Sequence, residues 1–162
     1  MHVLFAGSFD PVTVGHERLV RRAAALFDRV TVGVFHNAEK QDFFRPEERA
    51  EILRAAFAEI KNVDVCVSDG YVADYCAAHG VDALVRGLRT AADLPGERAG
   101  ERYNRAHGTE TLFLLAEDGM TDLSSTEVRR RMERGEKWQD LVPAGARERI
   151  CVLLHKKSGA AH

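Results

Sequence analysis

Val3-Leu4-Phe5-Ala6-Gly7-Ser8-Phe9-Asp10-Pro11-Val12-Thr13-Val14-Gly15-His16 begins as four unbroken apolar residues and passes through a turn holding glycine and proline. It then enters a helical period, in which Leu19, Val20, Ala23, Leu26 and Phe27 recur at i, i+1, i+4, i+7 and i+8. An apolar run of that length suits a strand covered on both faces, and the spacing behind it suits an amphipathic helix. The opening therefore reads strand, tight turn, helix.

The same alternation continues outward from this unit. Val30–Phe35, Val63–Val67, Ala83–Val85 and Leu112–Leu115 are short apolar runs of strand character. Between them, Ile52, Leu53, Ala56, Phe57 and Ile60 mark a second helix, with Pro46 near its first position and Glu47 and Glu48 in its first turn. A shorter helix is predicted over Val72–Ala78, ending at Gly80. Another starts at Ser124, where Ser124 and Glu127 have capping-box spacing, and stops near Gly135. A last one runs from about Ala144 to Leu154, and Ser158–His162 read as a frayed tail. Strands alternating with helices imply an α/β fold: a Rossmann-like doubly wound sheet of about five parallel strands with helices on both faces. The 162 residues suit one domain spanning 1–162. Ligands in such sheets lie at the carboxyl ends of the strands, so motifs directly after strands carry the function.

Composition excludes several classes. A net charge of -2, from 23 basic and 25 acidic residues, argues against a nucleic-acid wrapper held by phosphate charge, although it permits a small basic pocket. No stretch approaches the ~20 apolar residues of a membrane span, and no basic segment followed by an apolar run marks a signal peptide. Cys66, Cys76 and Cys151 are odd in number and form no CxxC pair, which fits reduced thiols in the cytoplasm better than a disulfide framework or a zinc site. None of the seven histidines falls in an HExxH spacing, and His36, His79 and His107 carry no motif.

The loop after the first strand is neither a GxxxxGK[ST] phosphate loop nor a GxGxxG fingerprint. Gly7 permits close backbone approach to a ligand, Ser8 offers a hydroxyl, and His16 sits in a first helical turn, where an anion is favoured. Taken alone, this is also what a tight turn with a capping histidine looks like.

As a whole string, Thr13-Val14-Gly15-His16 behind Gly7-Ser8-Phe9-Asp10-Pro11 resembles the (His or Thr)-x-Gly-His signature of the nucleotidyltransferase superfamily. The threonine variant with Asp-Pro narrows the resemblance to the pantetheine-phosphate adenylyltransferase family. Further segments are similar to that family in order and spacing. Asn37-Ala38-Glu39-Lys40 resembles its lysine loop, and Phe44–Arg49 resembles the start of its second helix. Val85-Arg86-Gly87-Leu88-Arg89 matches its Arg-Gly-Leu-Arg motif, and Ser124-Ser125-Thr126-Glu127-Val128-Arg129 resembles the segment that opens a helix beside the ATP phosphates. The resemblance covers roughly residues 2 to 155.

That resemblance implies transfer of the adenylyl group of ATP to 4'-phosphopantetheine, giving dephospho-CoA and pyrophosphate. It implies catalytic roles for His16, Lys40 and Arg86, and acceptor contacts from Ser8, Lys40, Val72 and Arg86. It implies ATP contacts from Ser8, Phe9, His16, Gly87, Leu88, Arg89, Glu97, Met120, Thr121, Asp122, Leu123, Ser124, Ser125 and Thr126. Phe9 either packs under the adenine or fills the turn. Mg²⁺ is expected with ATP rather than in a protein cage. A homohexamer, feedback binding of coenzyme A and a cytoplasmic location are likewise implied. The alternatives are an adenylyltransferase of the same superfamily with another phosphorylated acceptor, and a nucleotide-binding module without catalysis.

The sequence departs from the family after Arg89. Asp93, Glu97, Asn104 and Arg105 fit its pattern, but Pro95-Gly96 replace a Glu-Tyr pair within a helix that is unbroken elsewhere in the family. A Pro-Gly pair predicts an interruption there. Ser8 replaces a threonine, Leu123 an isoleucine and Thr126 a serine, all mild changes. Asp122 stands where an aromatic residue is usual, and nothing in the sequence explains it.

Overall fold

The computed structural model describes residues 1–35, 41–117, 119 and 123–159. Five strands, β1 (His2–Gly7), β2 (Arg29–Phe35), β3 (Val63–Ser68), β4 (Ala83–Leu88) and β5 (Glu110–Leu115), form one parallel sheet in the order β3-β2-β1-β4-β5. The helices are α1 (Val14–Leu26), α2 (Pro46–Phe57), α3 (Val72–His79), α4 (Leu94–Ala106), α5 (Ser125–Arg134) and α6 (Arg147–Gly159).

The period-two geometry of β1 divides the core. Val3 and Phe5 join Val30, Val32, Val34, Ala83 and Val85 in a large cluster closed by α1, α2, α5 and α6. Leu4, Ala6 and Leu84 face the other way, where Cys76 of α3 covers them. This is the two-sided helix cover expected of unbroken apolar strands. It fails at the sheet edges: Leu115 of β5 is 60% exposed and Val67 of β3 is 37% exposed, because an outer strand has only one neighbour.

Local signals set most boundaries. Gly80 and Gly135 end α3 and α5 in left-handed conformation, at φ 63° and 67°. Ser124 caps α5 by accepting from the Glu127 N–H at 3.1 Å. Three expectations are corrected. Pro95 does not interrupt a helix but sits in the first turn of α4, where its missing N–H removes no helical bond, behind a 3₁₀ turn at Ala91–Asp93. Gly96 is accommodated in the same turn. The last helix starts at Arg147, after a 3₁₀ turn at Ala144–Ala146, and runs through Ser158 to Gly159 instead of fraying at Ser158.

The order of strands reverses direction between β1 and β4, the switch point where a crevice opens. β1 pairs with β2 over six residues but with β4 over three, ending at Phe5 opposite Val85. Beyond that pair the two strands part, and the gap between their carboxyl ends is the floor of the cleft.

Candidate active site

A cleft of about 560 Å³ lies over the β1/β4 gap, lined by Gly7, Ser8, Phe9, His16, Val72, Arg86, Gly87, Arg89, Leu123, Ser124 and Ser125 among others. Three loops build it: the one after β1, the one after β4, and the approach to α5.

The first loop owes its shape to a cap. Thr13 is the N-cap of α1 and His16 is its third helical residue. The His16 N–H approaches Thr13 Oγ1 at 3.4 Å, while the Thr13 N–H donates back to His16 Nδ1 at 3.1 Å. The Thr13 hydroxyl also lies 3.0 Å from Nδ1. This is a capping box with histidine in the place usually held by glutamate. Because Nδ1 accepts from a backbone N–H, the ring proton resides on Nε2. Burial, then the positive Arg86 and Arg89, push the ring's pKa down to about 4. His16 is thus a neutral imidazole with one N–H to give.

Phe9, at φ 48°, turns its ring inward rather than into the cleft. It is 3% exposed, packs near Phe5, and meets the His16 ring edge-on at 5.2 Å between centroids. The side chain fills the turn and backs the His16 ring. A Cβ on Gly7 would stand 3.0 Å from the Phe9 ring, which accounts for glycine there.

At the end of β4, Arg86 spans the gap. Its Nη1 donates to the Ala6 carbonyl of β1 at 2.8 Å, so a guanidinium completes the sheet where the ladder has ended. Its Nε and Nη2 donate to the two carboxylate oxygens of Glu97 at 2.9 and 3.0 Å. Three of the five guanidinium N–H groups are engaged, and two are left for a ligand. Arg89 lines the cleft with its side chain 53% exposed and 3.9 Å from Asp93.

On the third side, Ser125 Oγ donates to the Pro11 carbonyl at 2.8 Å, and Arg129 donates to the Asp10 carbonyl at 2.6 Å. Three of the implied ATP contacts lie away from the cleft wall: Glu97 is paired with Arg86 and lines a neighbouring cavity, and the other two are Leu88 and Thr126. Leu88 is buried at the end of β4, and Thr126 is exposed and accepts from Arg129 at 3.1 Å. Lys40, with the rest of Asn37-Ala38-Glu39-Lys40, and Met120, Thr121 and Asp122 lie outside the described residues.

A second cavity of about 250 Å³ adjoins the first through Val72 and Arg86 and is lined by Tyr71, Glu97, Tyr103, Asn104 and Thr111. The buried Thr111 hydroxyl has no hydrogen-bond partner among the described residues.

Comparison with known proteins places the chain in a family. Residues 4–131 match the cytidylyltransferase-like family model. The chain is 39% identical over 158 residues to a phosphopantetheine adenylyltransferase of Cutibacterium acnes, covering 97% of this chain and 98% of the relative. It is 39% identical over 167 residues to that of Deinococcus radiodurans, covering 99% and 100%. The chain belongs to the phosphopantetheine adenylyltransferase family. Among solved structures, a bifunctional NMN adenylyltransferase/ADP ribose pyrophosphatase of Francisella tularensis, complexed with AMP and manganese, aligns with a TM-score of 0.62. At 14% identity, covering 87% of this chain and 44% of that one, it shares the fold.

Two residues lie inside the matched motifs without a role assigned by the resemblance. Asp10 and Arg49 are both buried, at 7% and 2% exposure, and join the first loop to the segment before α2. A signal existed: Arg49 is on the stripe Arg49, Ile52, Leu53, Ala56, a lone cation among core positions.

Proposed function

We propose that this enzyme transfers the adenylyl group of ATP to 4'-phosphopantetheine, releasing pyrophosphate and forming dephospho-CoA. The observation that carries the reading is the neutral His16, its proton fixed on Nε2 by the Thr13 cap, beside Arg86 at the switch point of the sheet.

A phosphate oxygen of the acceptor attacks the α-phosphorus of ATP. The new P–O bond forms as the bond to the β-phosphate oxygen breaks, and pyrophosphate leaves. The nucleophile is already an anion, so positioning and charge stabilisation do the work. His16 Nε2–H donates to a non-bridging α-phosphate oxygen as negative charge builds there. The two remaining N–H groups of Arg86, together with Lys40, hold the acceptor phosphate. Ser8 lies where it can touch both substrates. The start of α5, with Ser124 and Ser125, receives the β- and γ-phosphates. The acceptor arm fits the second cavity past Val72, where Asn104 and the unpartnered Thr111 hydroxyl suit its amides.

Among the described residues no cluster of three or more His, Cys, Asp or Glu side chains could hold a metal. The cleft's donors are hydroxyls, a ring N–H and guanidinium groups, which fits a Mg²⁺ carried by the triphosphate, whose charge it would partly neutralise. Exposed Tyr71, Leu94 and Tyr103 support contact between copies in a homohexamer. Coenzyme A shares the acceptor arm and is assigned to the same cavities as a feedback ligand. Three free thiols suit the reducing cytoplasm, and no helix of the described residues is long and apolar enough to cross a membrane.

Pyrophosphate release from ATP plus 4'-phosphopantetheine is the test. Turnover with this pair, and none with nicotinamide mononucleotide as acceptor, is expected. His16→Ala should lower kcat by about 10²–10³-fold with little change in ATP affinity. A folded wild type without turnover would exclude the reading.

A further inference from the structure

Arg49 is the most deeply buried cation of the described residues, and its guanidinium reaches two loops at once. Nε donates to the Phe44 carbonyl at 2.7 Å, Nη2 to Asp42 Oδ1 at 2.5 Å, and Nη1 to the Ser8 carbonyl at 3.0 Å. Asp10 lies 4.0 Å away and accepts from the N–H groups of Phe43 and Phe44 at 2.8 Å each. A cation from α2 and a carboxylate from the first loop thus brace residues 8–10 against residues 42–44. Burying such a pair is weak ground for stability, because apolar residues of like volume serve as well. What the contacts do fix is the geometry between the two loops.

That geometry is the Ser8–Phe9 peptide. In a planar trans peptide the C=O and N–H point in opposite directions. Drawing the Ser8 carbonyl back onto Arg49 therefore aims the Phe9 N–H away from α2, on the side where Ser8 and Phe9 line the cleft. Among the described residues nothing accepts from that N–H. Phe9 is also held at φ 48°, a region unfavourable to a residue with a Cβ. Such a conformation persists only when its surroundings impose it. Rotation of this one peptide plane would relieve Phe9 and turn a carbonyl, in place of an N–H, toward bound phosphate.

We propose that Arg49 is a positioning residue for adenylyl transfer: it clamps the Ser8 carbonyl so that the Phe9 N–H faces the cleft as a phosphate donor. The assignment rests on the activity proposed above. It is distinct from the anion-binding arginines, since the guanidinium of Arg49 is consumed by protein acceptors.

Arg49→Lys and Arg49→Met in the full-length protein test it. Circular dichroism and thermal melting establish folding, calorimetry gives the Kd for ATP, and pyrophosphate release gives kcat and KM. A lysine keeps the charge but cannot reach Phe44, Asp42 and Ser8 together. Both variants should be folded, with kcat at least tenfold down and the ATP Kd within about threefold of wild type, because one misaimed neutral donor matters most as charge develops. Methylguanidine should restore part of the kcat of Arg49→Ala and leave wild type unchanged. A folded Arg49→Lys with kcat within twofold of wild type would overturn the assignment, as would failure of both variants to fold, which makes Arg49 a stability residue alone. A wild type inactive with this substrate pair would instead overturn the activity reading.

Discussion

His16 shows how one backbone contact decides a side chain's chemistry. The Thr13 N–H on Nδ1 fixes the tautomer, and burial with Arg86 and Arg89 nearby pushes the pKa down to about 4. With that pKa the ring is neutral near pH 7, with its proton on Nε2. The sign of the linked stability follows. Unfolded histidine binds a proton near pH 6.5, so between about 6.5 and 4 the unfolded chain binds more protons than the folded one. This site therefore leaves stability unchanged above that window and lowers it as pH falls through the window. A proton-detected titration of the His16 Cε1–H should give a midpoint of about 4, and Arg86→Gln should raise it by removing a cation. A midpoint near 6.5 would mean that the ring is solvated and the Thr13 cap open.

One close approach of elements lies where α1 crosses β4. A Cβ built on Gly87 would stand 2.4 Å from Cδ1 of Leu19, a 7% exposed side chain that borders the cleft and would have to shift toward it. The glycine between Arg86 and Arg89 is thus a packing requirement that lets a helix lie against the strand carrying both arginines. Gly87→Ala should cost about 1–3 kcal/mol through overpacking, a fall in Tm of several degrees. Leu19→Ala in the same chain should recover part of it, so the two changes combined cost less than their sum. Equal and additive losses would place the strain elsewhere. At this scale the sequence was widely legible. Strands read as apolar runs, and the ends of α3 and α5 read from Gly80 and Gly135, because these signals are local. The half-bare edges of β3 and β5 were not, since being an edge is a property of strand order. Pro95 was misread as a breaker because its effect depends on where the helix begins. The cleft residues were legible as motifs. The pairing of Glu97 with Arg86 and the clamp of Arg49 on Ser8 were not, because they join positions 11 and 41 residues apart through side-chain reach.

Over the whole molecule, a chain of net charge -2 must attract two polyanionic substrates. Most of the cationic groups at the cleft do not supply a long-range field. Arg49 is buried against carboxylates, Arg86 is matched by Glu97 and Arg89 lies 3.9 Å from Asp93, while Arg129 is turned onto the Asp10 carbonyl, which is polar but uncharged. On α5, Arg130 and Arg131 share the Glu127 carboxylate and hold its pKa down at about 2, and Arg130 is also paired with Glu136. Among the described cleft arginines Arg89 is the exposed one, its side chain 53% accessible at the mouth. Attraction at a distance is screened within about 8–10 Å at ordinary ionic strength, whereas contacts inside the cleft are screened much less. The two effects separate kinetically. Raising KCl from about 0.05 to about 0.5 M should lower kcat/KM for ATP several-fold while kcat moves far less, because steering acts on encounter and not on the bound complex. Arg89→Gln should reduce kcat/KM at low salt and flatten its salt dependence, with kcat changed less than in His16→Ala. If Arg89→Gln keeps the wild-type slope, the field at the mouth arises from other charges, and Arg89 acts only by direct contact with bound nucleotide.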